Sequence, residues 1–594
     1  MHRIIIVILL FFTLISFAQD SQLAYDYYRK GEYEKASILY KDLYEKNKIR
    51  RDYFKQLLSS YQLSDNFDAA SELLTSHQKE FANQTQIPIE IGYNFQLQNQ
   101  KEKAIPYYDQ ALKTIENNPN SGYIIGRTFQ DNHLLDYALR AYKRAMELNP
   151  ELNYDAYLAF IYGEKGDIEN MFGAYLNMVQ KNETFYPSVQ RYAGRFITDD
   201  NLDENNILFR KLLLKRLQND PNDSWNKLLS WLFMQQKDYS KALIQEIALY
   251  KRNLDDLNRI IELGDIAFNN SSYDTAKDCF EYVLQNSQNP VLILDANLYL
   301  LEIAIETATT KDQIESVDLK FQELFTAYGT GNSTLDLQIA YADFLTFKKN
   351  NPDKATTILK DALLRTTSEF QHGSVKLKLA DILVYTNKFN EALINYSQVQ
   401  THLKNSTIAQ TASYKVAQTS YFKGDFKWAL TQLKVLKKST SQLIANDALE
   451  LNLLISDNIV GDTVYDALKS YAKADLLAFQ NKNREAIDTL NTVLLKYKGR
   501  SIEDDALFKQ AELFVKNKEF ESAANNYLKI IELQKDGILV DDSFFKLGLL
   551  YENNLNDKER AKEMYQKIIF EFPSSIYLVD ARKRFRKLRG DSIN

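Results

Sequence analysis

An alanine that recurs at a fixed distance is the feature that most constrains how this chain folds. Ala36, Ala70, Ala104 and Ala138 each lie 34 residues apart. Most of these alanines have an apolar residue three positions before them and a bulky residue four positions after them, and a further apolar or small residue often follows at +7. The 0, +4, +7 spacing marks one face of an α-helix. A period of this length predicts an array of helical hairpins that pack on their neighbours.

The segment before each alanine carries a second pattern. A Leu-Gly pair or a close variant stands 13 and 12 positions before the alanine, and an aromatic residue often follows at nine. The examples are Leu23-Ala24 with Tyr27, Ile91-Gly92 with Phe95, Ile125-Gly126 with Phe129, Leu263-Gly264, and, with one inserted residue, Leu547-Gly548 with Tyr551. Leu158-Ala159 with Tyr162 has the same spacing, but Met171 stands in place of the alanine. This pattern resembles the tetratricopeptide repeat family, whose unit is a 34-residue helix–turn–helix. The family's first-helix Trp is missing throughout.

The resemblance implies an all-α fold, a right-handed superhelical solenoid of about fourteen helix pairs. Composition agrees, because 18 Gly and 9 Pro in 594 residues leave few turn-formers for a many-stranded β fold. Residues 181–235, 300–350 and 437–480 keep helical patterning but lose the motif.

The repeat distance changes along the chain. After Ala355 it lengthens from 34 to 37 residues, and a cluster of Gly, Asn and Ser begins at Gly329. We therefore predict an N-terminal tetratricopeptide-like solenoid of 34-residue repeats over 19–328, an irregular connection over 329–352, and a C-terminal solenoid of longer repeats with a basic capping helix over 353–594. A continuous solenoid with one loose loop is the alternative that the sequence leaves open.

The first 18 residues have the pattern of a secretory signal peptide. A basic start precedes the apolar run Ile4–Phe17, and small residues stand at Ser16 and Ala18. We expect cleavage before Gln19 and an exported protein in the periplasm or on the periplasmic face of the outer membrane. An uncleaved signal anchor is the open alternative.

The sequence offers little for catalysis or cofactor binding. Lys and Arg number 73 against 79 Asp and Glu, so no basic footprint for nucleic acid is present. Cys279 is the single cysteine, and no two of the five His share a helix face. Common catalytic motifs are absent from the sequence. We predict no enzyme activity, no cofactor and no metal, and structural roles for His77 and Cys279.

The last predicted helix is strongly basic. Apolar residues take one face at Leu578, Ala581, Phe585 and Leu588. The cations that surround them are Arg582, Lys583, Arg584, Arg586, Lys587 and Arg589. One interpretation is a terminal cap with a polar outer face. The other is a surface for peripheral membrane contact with anionic lipid headgroups, or for an acidic partner.

The family resemblance also implies a binding groove lined by the first helices of the repeats. Carried onto this sequence, the groove positions are Tyr25, Tyr28, Lys55, Ser59, Tyr93, Gln96, Tyr123, Arg127 and Phe160. Tyr25 and Tyr28 stand where the family's carboxylate clamp has Lys and Asn, so capture of a peptide C-terminus is not expected. The alternative is that several of these tyrosines pack between neighbouring repeats.

These observations favour a non-enzymatic protein–protein interaction scaffold of the cell envelope. Its expected partners are proteins or peptides, such as envelope or secretion components. The alternative is an exported glycan- or nutrient-capture protein on the same kind of scaffold. Relatives of that kind carry a lipid-anchoring Cys and sugar-stacking Trp, whereas here that Cys is missing and Trp225, Trp231 and Trp428 are scattered.

Overall fold

The structure is a computed structural model, and it describes residues 20–81, 83–254, 256–436, 442–459, 465–533 and 537–590. The predicted signal peptide, residues 1–18, lies outside these ranges. Every regular element within them is a helix, and they contain no strand. Nor does any helix in the described part of the chain combine the length and hydrophobicity needed to cross a bilayer.

The described residues fall into two compact units. Unit 1 contains the described residues of Met1–Thr198 and Glu204–Leu228. Unit 2 contains the described residues of Asp199–Asp203 and Leu229–Asn594. The helices that begin in unit 1 are α1 (20–29), α2 (Tyr33–Lys46), α3 (Arg51–Leu63), α4 (Phe67–Glu80), α5 (Ile87–Leu97), α6 (Lys101–Asn117), α7 (Gly122–Asp131), α8 (Leu135–Leu148), α9 (Asp155–Glu164), α10 (Ile168–Lys181), α11 (Tyr186–Ala193), α12 (Glu204–Asn219) and α13 (Asp223–Gln235).

The helices that begin in unit 2 follow the same alternation. They are α14 (Tyr239–Arg252), α15 (Asn258–Asn269), α16 (Tyr273–Asn286), α17 (Pro290–Thr307), α18 (Lys311–Tyr328), α19 (Leu335–Phe347), α20 (Pro352–Leu363), α21 (Glu369–Tyr385), α22 (Phe389–His402), α23 (Thr407–Lys423), α24 (Phe426–Leu436), α25 (Gln442–Asn458), α26 (Asp466–Phe479), α27 (Asn483–Lys496), α28 (Ile502–Lys516), α29 (Phe520–Leu533), α30 (Val540–Asn553), α31 (Lys558–Glu571) and α32 (Leu578–Arg589). Short 3-10 helices lie at Pro119–Ser121, Glu183–Phe185 and Asn332–Thr334.

Within each unit the helices stack as hairpins. The second helix of a hairpin packs on its own first helix, as α6 packs on α5, and it also packs on a helix of the next hairpin, as α6 packs on α8. Stacking of this kind, in which each repeat contacts its neighbours, defines a helical solenoid. The predicted all-α solenoid is therefore confirmed. The helices outnumber the predicted fourteen or so pairs, partly because α25 stands before the α26–α27 hairpin as an extra helix.

A left-handed residue closes many of these hairpins. Asp65 has a φ of 56° and Asn99 a φ of 61°, and each stands two residues before the second helix of its hairpin. Gly31 and Gly166 occupy the same place with φ of 79° and 72°. Gly and Asn adopt this conformation most readily, so at Gly31, Gly166 and Asn99 the turn stops the first helix with little strain.

The recurring alanines lie where the helices of a hairpin meet. Each is at most 1% exposed, and so the helix face predicted from their spacing is confirmed for Ala36, Ala70, Ala104, Ala138, Ala242, Ala276, Ala355, Ala392, Ala429, Ala486, Ala523 and Ala561. A methyl group at these positions allows two helices to approach closely, and the bulky residue four positions later fills the adjoining space. Tyr108 and Tyr142 are such residues, and both are buried.

The segment 329–352 contains a 3-10 helix, α19 and the connection to α20. Buried residues before it, such as Phe321, and after it, such as Leu359, belong to one continuous hydrophobic core with Tyr341. The division of the chain into two solenoids at this segment stays a prediction.

Candidate functional site: the inner face of unit 1

All nine predicted groove residues lie on the first helices α1, α3, α5, α7 and α9. We call the surface that they form the inner face. Tyr25, Tyr123 and Phe160 are 44%, 45% and 54% exposed, and Lys55 and Arg127 are exposed beside them. Tyr28, Ser59, Tyr93 and Gln96 are half-buried. The structure therefore places an exposed aromatic surface and a set of partly packed side chains on the same helices.

Neighbouring helices tie the half-buried residues in place. The hydroxyl groups of Tyr28 and Ser59 lie 2.8 Å apart and join α1 to α3. The Tyr108 hydroxyl of α6 donates a hydrogen bond to Gln96 of α5 over 3.1 Å. Tyr28 thus packs between repeats, which is the alternative role considered for the groove tyrosines. Tyr123 instead keeps an exposed ring.

One ion pair between helices that are not adjacent indicates that the inner face is concave. Lys55 of α3 contacts Asp131 at the end of α7 over 3.4 Å, although α5 comes between these two helices along the array. Packed helices lie about 8–10 Å apart, so a flat row would separate α3 from α7 by about 16–20 Å. A lysine and an aspartate side chain span such a distance only at nearly full extension, and they would have to pass over α5. Their contact therefore favours a row of first helices that curves toward this face.

Several charged side chains lie close together at the middle of the inner face. Arg127 also contacts Asp131, at 3.0 Å, so that two exposed cations share one carboxylate. Asn132 donates a hydrogen bond to Glu90 of α5 over 3.2 Å. Burial raises the pKa of Glu90 and favours its neutral form. Two exposed cations, Lys55 and Arg127, thus lie around one carboxylate at the centre of the face.

An aromatic cluster borders these charges. Tyr157 of α9 stacks on Tyr142 with ring centroids 5.3 Å apart, and its ring meets the edge of Tyr123 at 5.6 Å. A hydrogen bond with Tyr123 is the main cause that raises the pKa of Tyr157. Tyr154 packs against both Tyr123 and Tyr142. The cluster holds the Tyr123 ring in position while part of that ring stays exposed.

Sequence reasoning missed Glu90, Asp131 and Tyr157. Arg127 and Asp131 are four residues apart on one helix, a spacing that indicates an ion pair and could have found Asp131. Glu90 and Tyr157 give no such signal, because their importance depends on which side chains the neighbouring helices bring close.

The predicted basic patch lies on α32 and is only partly available. Lys583 forms an ion pair with Asp199, and Arg584 contacts Glu552 of α30 at 2.8 Å. Arg582, Arg586, Lys587 and Arg589 are exposed. The apolar side of α32 packs on the preceding hairpin through buried Ala581, with Phe585 and Leu588 beside it. The apolar side of α32 is therefore packed while four of its cations are exposed, and both roles, terminal cap and membrane contact, stay predictions.

The residues most often used in catalysis have structural surroundings. His77 is buried, and its ring stacks on Phe54 at 3.9 Å while its Nδ1 lies 2.6 Å from the Tyr44 hydroxyl. Cys279 is fully buried, and burial raises the pKa of its thiol to about 12. In the part of the chain that the structure describes, no group of three or more His, Cys, Asp or Glu side chains could hold a metal ion.

Comparisons with known proteins identify the repeat. Two profiles, each described as tetratricopeptide repeat, match residues 471–537 and 542–575, which include most of α26 through α31. No curated protein sequence matches the chain.

Solved structures that resemble the chain include the crystal structure of the APC/C hetero-tetramer Cut9–Hcn1, at 12% identity over 95% of each chain with a TM-score of 0.26. Another is the structure of Naa15/Naa10 bound to HypK-THB, at 12% identity over 90% of this chain and 96% of that one, with a TM-score of 0.27. The two profile matches identify tetratricopeptide repeats at residues 471–537 and 542–575 of this chain.

Proposed function

We propose that this protein is a non-enzymatic scaffold of the cell envelope that binds partner proteins or peptides on the inner face of unit 1. The tetratricopeptide repeats support a role in protein–protein interaction in general. The envelope role, with envelope or secretion components as partners, draws on the signal-peptide pattern of residues 1–18.

The observation that carries the proposal is the exposed aromatic and cationic surface on a concave face. Tyr123 and Phe160 offer large, stiff contact areas, and Tyr123 adds a hydroxyl group for hydrogen bonding. Arg127 lies one helical turn after Tyr123 and can bind a carboxylate in competition with Asp131. Tyr, Phe and Arg are the residues enriched where proteins contact one another.

A cross-linked pull-down from the envelope fraction tests this proposal. The bait is the tagged chain from Gln19, compared with the double variant Tyr123→Ala/Arg127→Ala. The matched control is Ile38→Ala/Ile105→Ala, which removes exposed apolar side chains from the second helices α2 and α6. We expect a reproducible protein partner that the inner-face variant loses and the control retains. Equal recovery by all three proteins contradicts binding on the inner face.

Glycan or nutrient capture is the alternative function. Trp428 is 49% exposed and could stack on a sugar ring, but Trp225 is fully buried in unit 1. If the bait recovers no protein and is retained on a polysaccharide column, glycan capture replaces the scaffold proposal.

Export and the place of the protein in the cell stay predictions, as does cleavage before Gln19. We also propose that α32 brings the protein to a membrane surface. The exposed arginines of this helix support that contact.

A further inference from the structure

The last hairpin has an exposed apolar tip. Phe570 in the last turn of α31, Ile576 in the connection and Val579 in the first turn of α32 are 72%, 83% and 74% exposed. Helices α31 and α32 pack against each other, and only residues 572–577 connect them. The three apolar side chains therefore lie at the same end of the hairpin. Exposed apolar side chains grouped in this way mark an interaction site more often than scattered ones do.

Two arginines continue from this tip along α32. Arg582 and Arg586 follow Val579 at spacings of three and seven, which place all three side chains on one side of the helix. Both arginines are exposed, and neither forms an ion pair with another residue that the structure describes. The exposed side of α32 is therefore apolar in the first turn and cationic farther along the helix.

We infer that this tip, formed by Phe570, Ile576, Val579, Arg582 and Arg586, docks on an anionic lipid surface. The inference rests on the membrane contact proposed for α32 and deepens it by naming the inserted side chains and the class of lipid.

The dimensions of the tip fit an interfacial binding mode. A helix rises about 1.5 Å per residue, so Arg586 lies about 10 Å along the axis from Val579. Apolar groups of interfacial helices enter about 5–10 Å into the boundary between headgroups and acyl chains. With the apolar tip at that depth, Arg582 and Arg586 meet the phosphate groups of the lipids.

A lipid surface suits these residues better than an acidic protein does. The exposed apolar side chains lie on three successive parts of the hairpin end, and fluid acyl chains adapt to such an arrangement. A folded partner would need a surface matched to side chains from α31, the connection and α32 at once. Charge complementarity selects anionic rather than neutral lipid.

Flotation with lipid vesicles tests the inference. The chain from Gln19 is used, so that the apolar run at residues 4–17 cannot insert. Vesicles of equal parts phosphatidylglycerol and phosphatidylcholine are compared with vesicles of phosphatidylcholine alone. We expect binding to the anionic vesicles only, weakened by salt because the arginine contacts are screened.

Two variants and one control separate the contributions of charge and insertion. Arg582→Gln/Arg586→Gln should weaken binding about 25-fold, because each cation near an anionic surface contributes about fivefold. Phe570→Ser/Ile576→Ser should weaken it about tenfold or more, because two inserted side chains are lost. Lys404→Gln/Lys427→Gln removes two exposed cations elsewhere in unit 2 and should bind as the unchanged chain does.

Three results overturn the inference. The first is that the chain does not bind anionic vesicles, and the second is that the arginine variant binds them as well as the unchanged chain does. The third is that the serine variant binds fully although the arginine variant no longer binds. The last result would mean that charge alone is recognised, as an acidic protein surface would do. The inner-face variant Tyr123→Ala/Arg127→Ala should still bind vesicles, so failure of this test and failure of partner capture are distinguishable.

Discussion

Contacts between a glycine and an aromatic ring set the distance between helices in several hairpins. A Cβ atom added to Gly126 would lie 2.5 Å from the Tyr142 ring, and one added to Gly92 would lie 2.5 Å from the Tyr108 ring. In each hairpin the ring comes 16 residues after the glycine. The ring lies directly on the backbone of the first helix, and only a residue without a side chain permits this packing.

Replacing Gly126 with Ala should therefore destabilise unit 1. Tyr142 cannot move away easily, because its ring also packs against Tyr154 and Tyr157. We expect a loss of about 1–3 kcal/mol in the free energy of unfolding, typical of an overpacked core. Urea unfolding followed by circular dichroism measures it.

Gly173→Ala is the matched control for this variant. Gly173 also lies within a helix, α10, but no atom lies within 4 Å of an added Cβ. Alanine should stabilise that helix by about 0.5–1 kcal/mol. A loss of stability in both variants would contradict the packing explanation.

The packing residues could be predicted from the sequence, whereas much of the inner-face chemistry could not. The residue types found at Gly126, Ala138 and Tyr142 recur at equivalent positions of several repeats, and the period fixes their place in each hairpin. Glu90 and Tyr157 gain their roles from side chains on other helices. A repeat pattern places the backbone of those helices but does not specify which side chains meet.

At the scale of elements, a half-buried polar contact joins the extra helix α25 to α28. Asn458 at the end of α25 donates a hydrogen bond to the Asp505 carboxylate over 2.7 Å. Ser501 donates to the Asn458 side-chain oxygen over 2.8 Å. Burial, and next the charge of Asp504, raise the pKa of Asp505 from 3.8 to about 7. Asp457 and Glu450 raise this pKa further.

The raised pKa makes the stability of this contact depend on pH. Because the folded chain holds the Asp505 proton more tightly than the unfolded chain, the contribution to stability is full below about pH 4 and is lost as the pH rises through about 7. Asp505→Asn removes the ionisation and keeps an oxygen that can accept from Asn458. Its melting temperature should exceed that of the unchanged chain by several degrees near pH 8, with little difference near pH 5.

Asp353→Asn is the control, since it removes an exposed carboxylate from the first turn of α20. Its melting temperature should differ from that of the unchanged chain by a similar amount at both pH values. If Asp505→Asn behaves in the same way, Asp505 is ionised in the folded protein and the account of this contact is wrong.

At the scale of the whole molecule, the repeat period predicted the solenoid but not the division into compact units. That division falls at Leu228, inside α13, in a stretch where the motif is lost. Such a division depends on contacts between helices that are far apart in sequence. A local sequence pattern does not predict those contacts. The predicted connection at 329–352 is a separate feature, through which the buried core continues.

The central claim for the whole molecule is that partners bind on the inner face of unit 1. Site-specific photo-crosslinking in cells tests this claim most directly, with a photoreactive amino acid in place of Tyr123 or of Ile105 in the full chain. The two side chains are 45% and 46% exposed, but Tyr123 lies on a first helix and Ile105 on a second helix. We expect protein adducts from position 123 and none from position 105. Adducts from position 105 alone, or equal adducts from both positions, would contradict the claim.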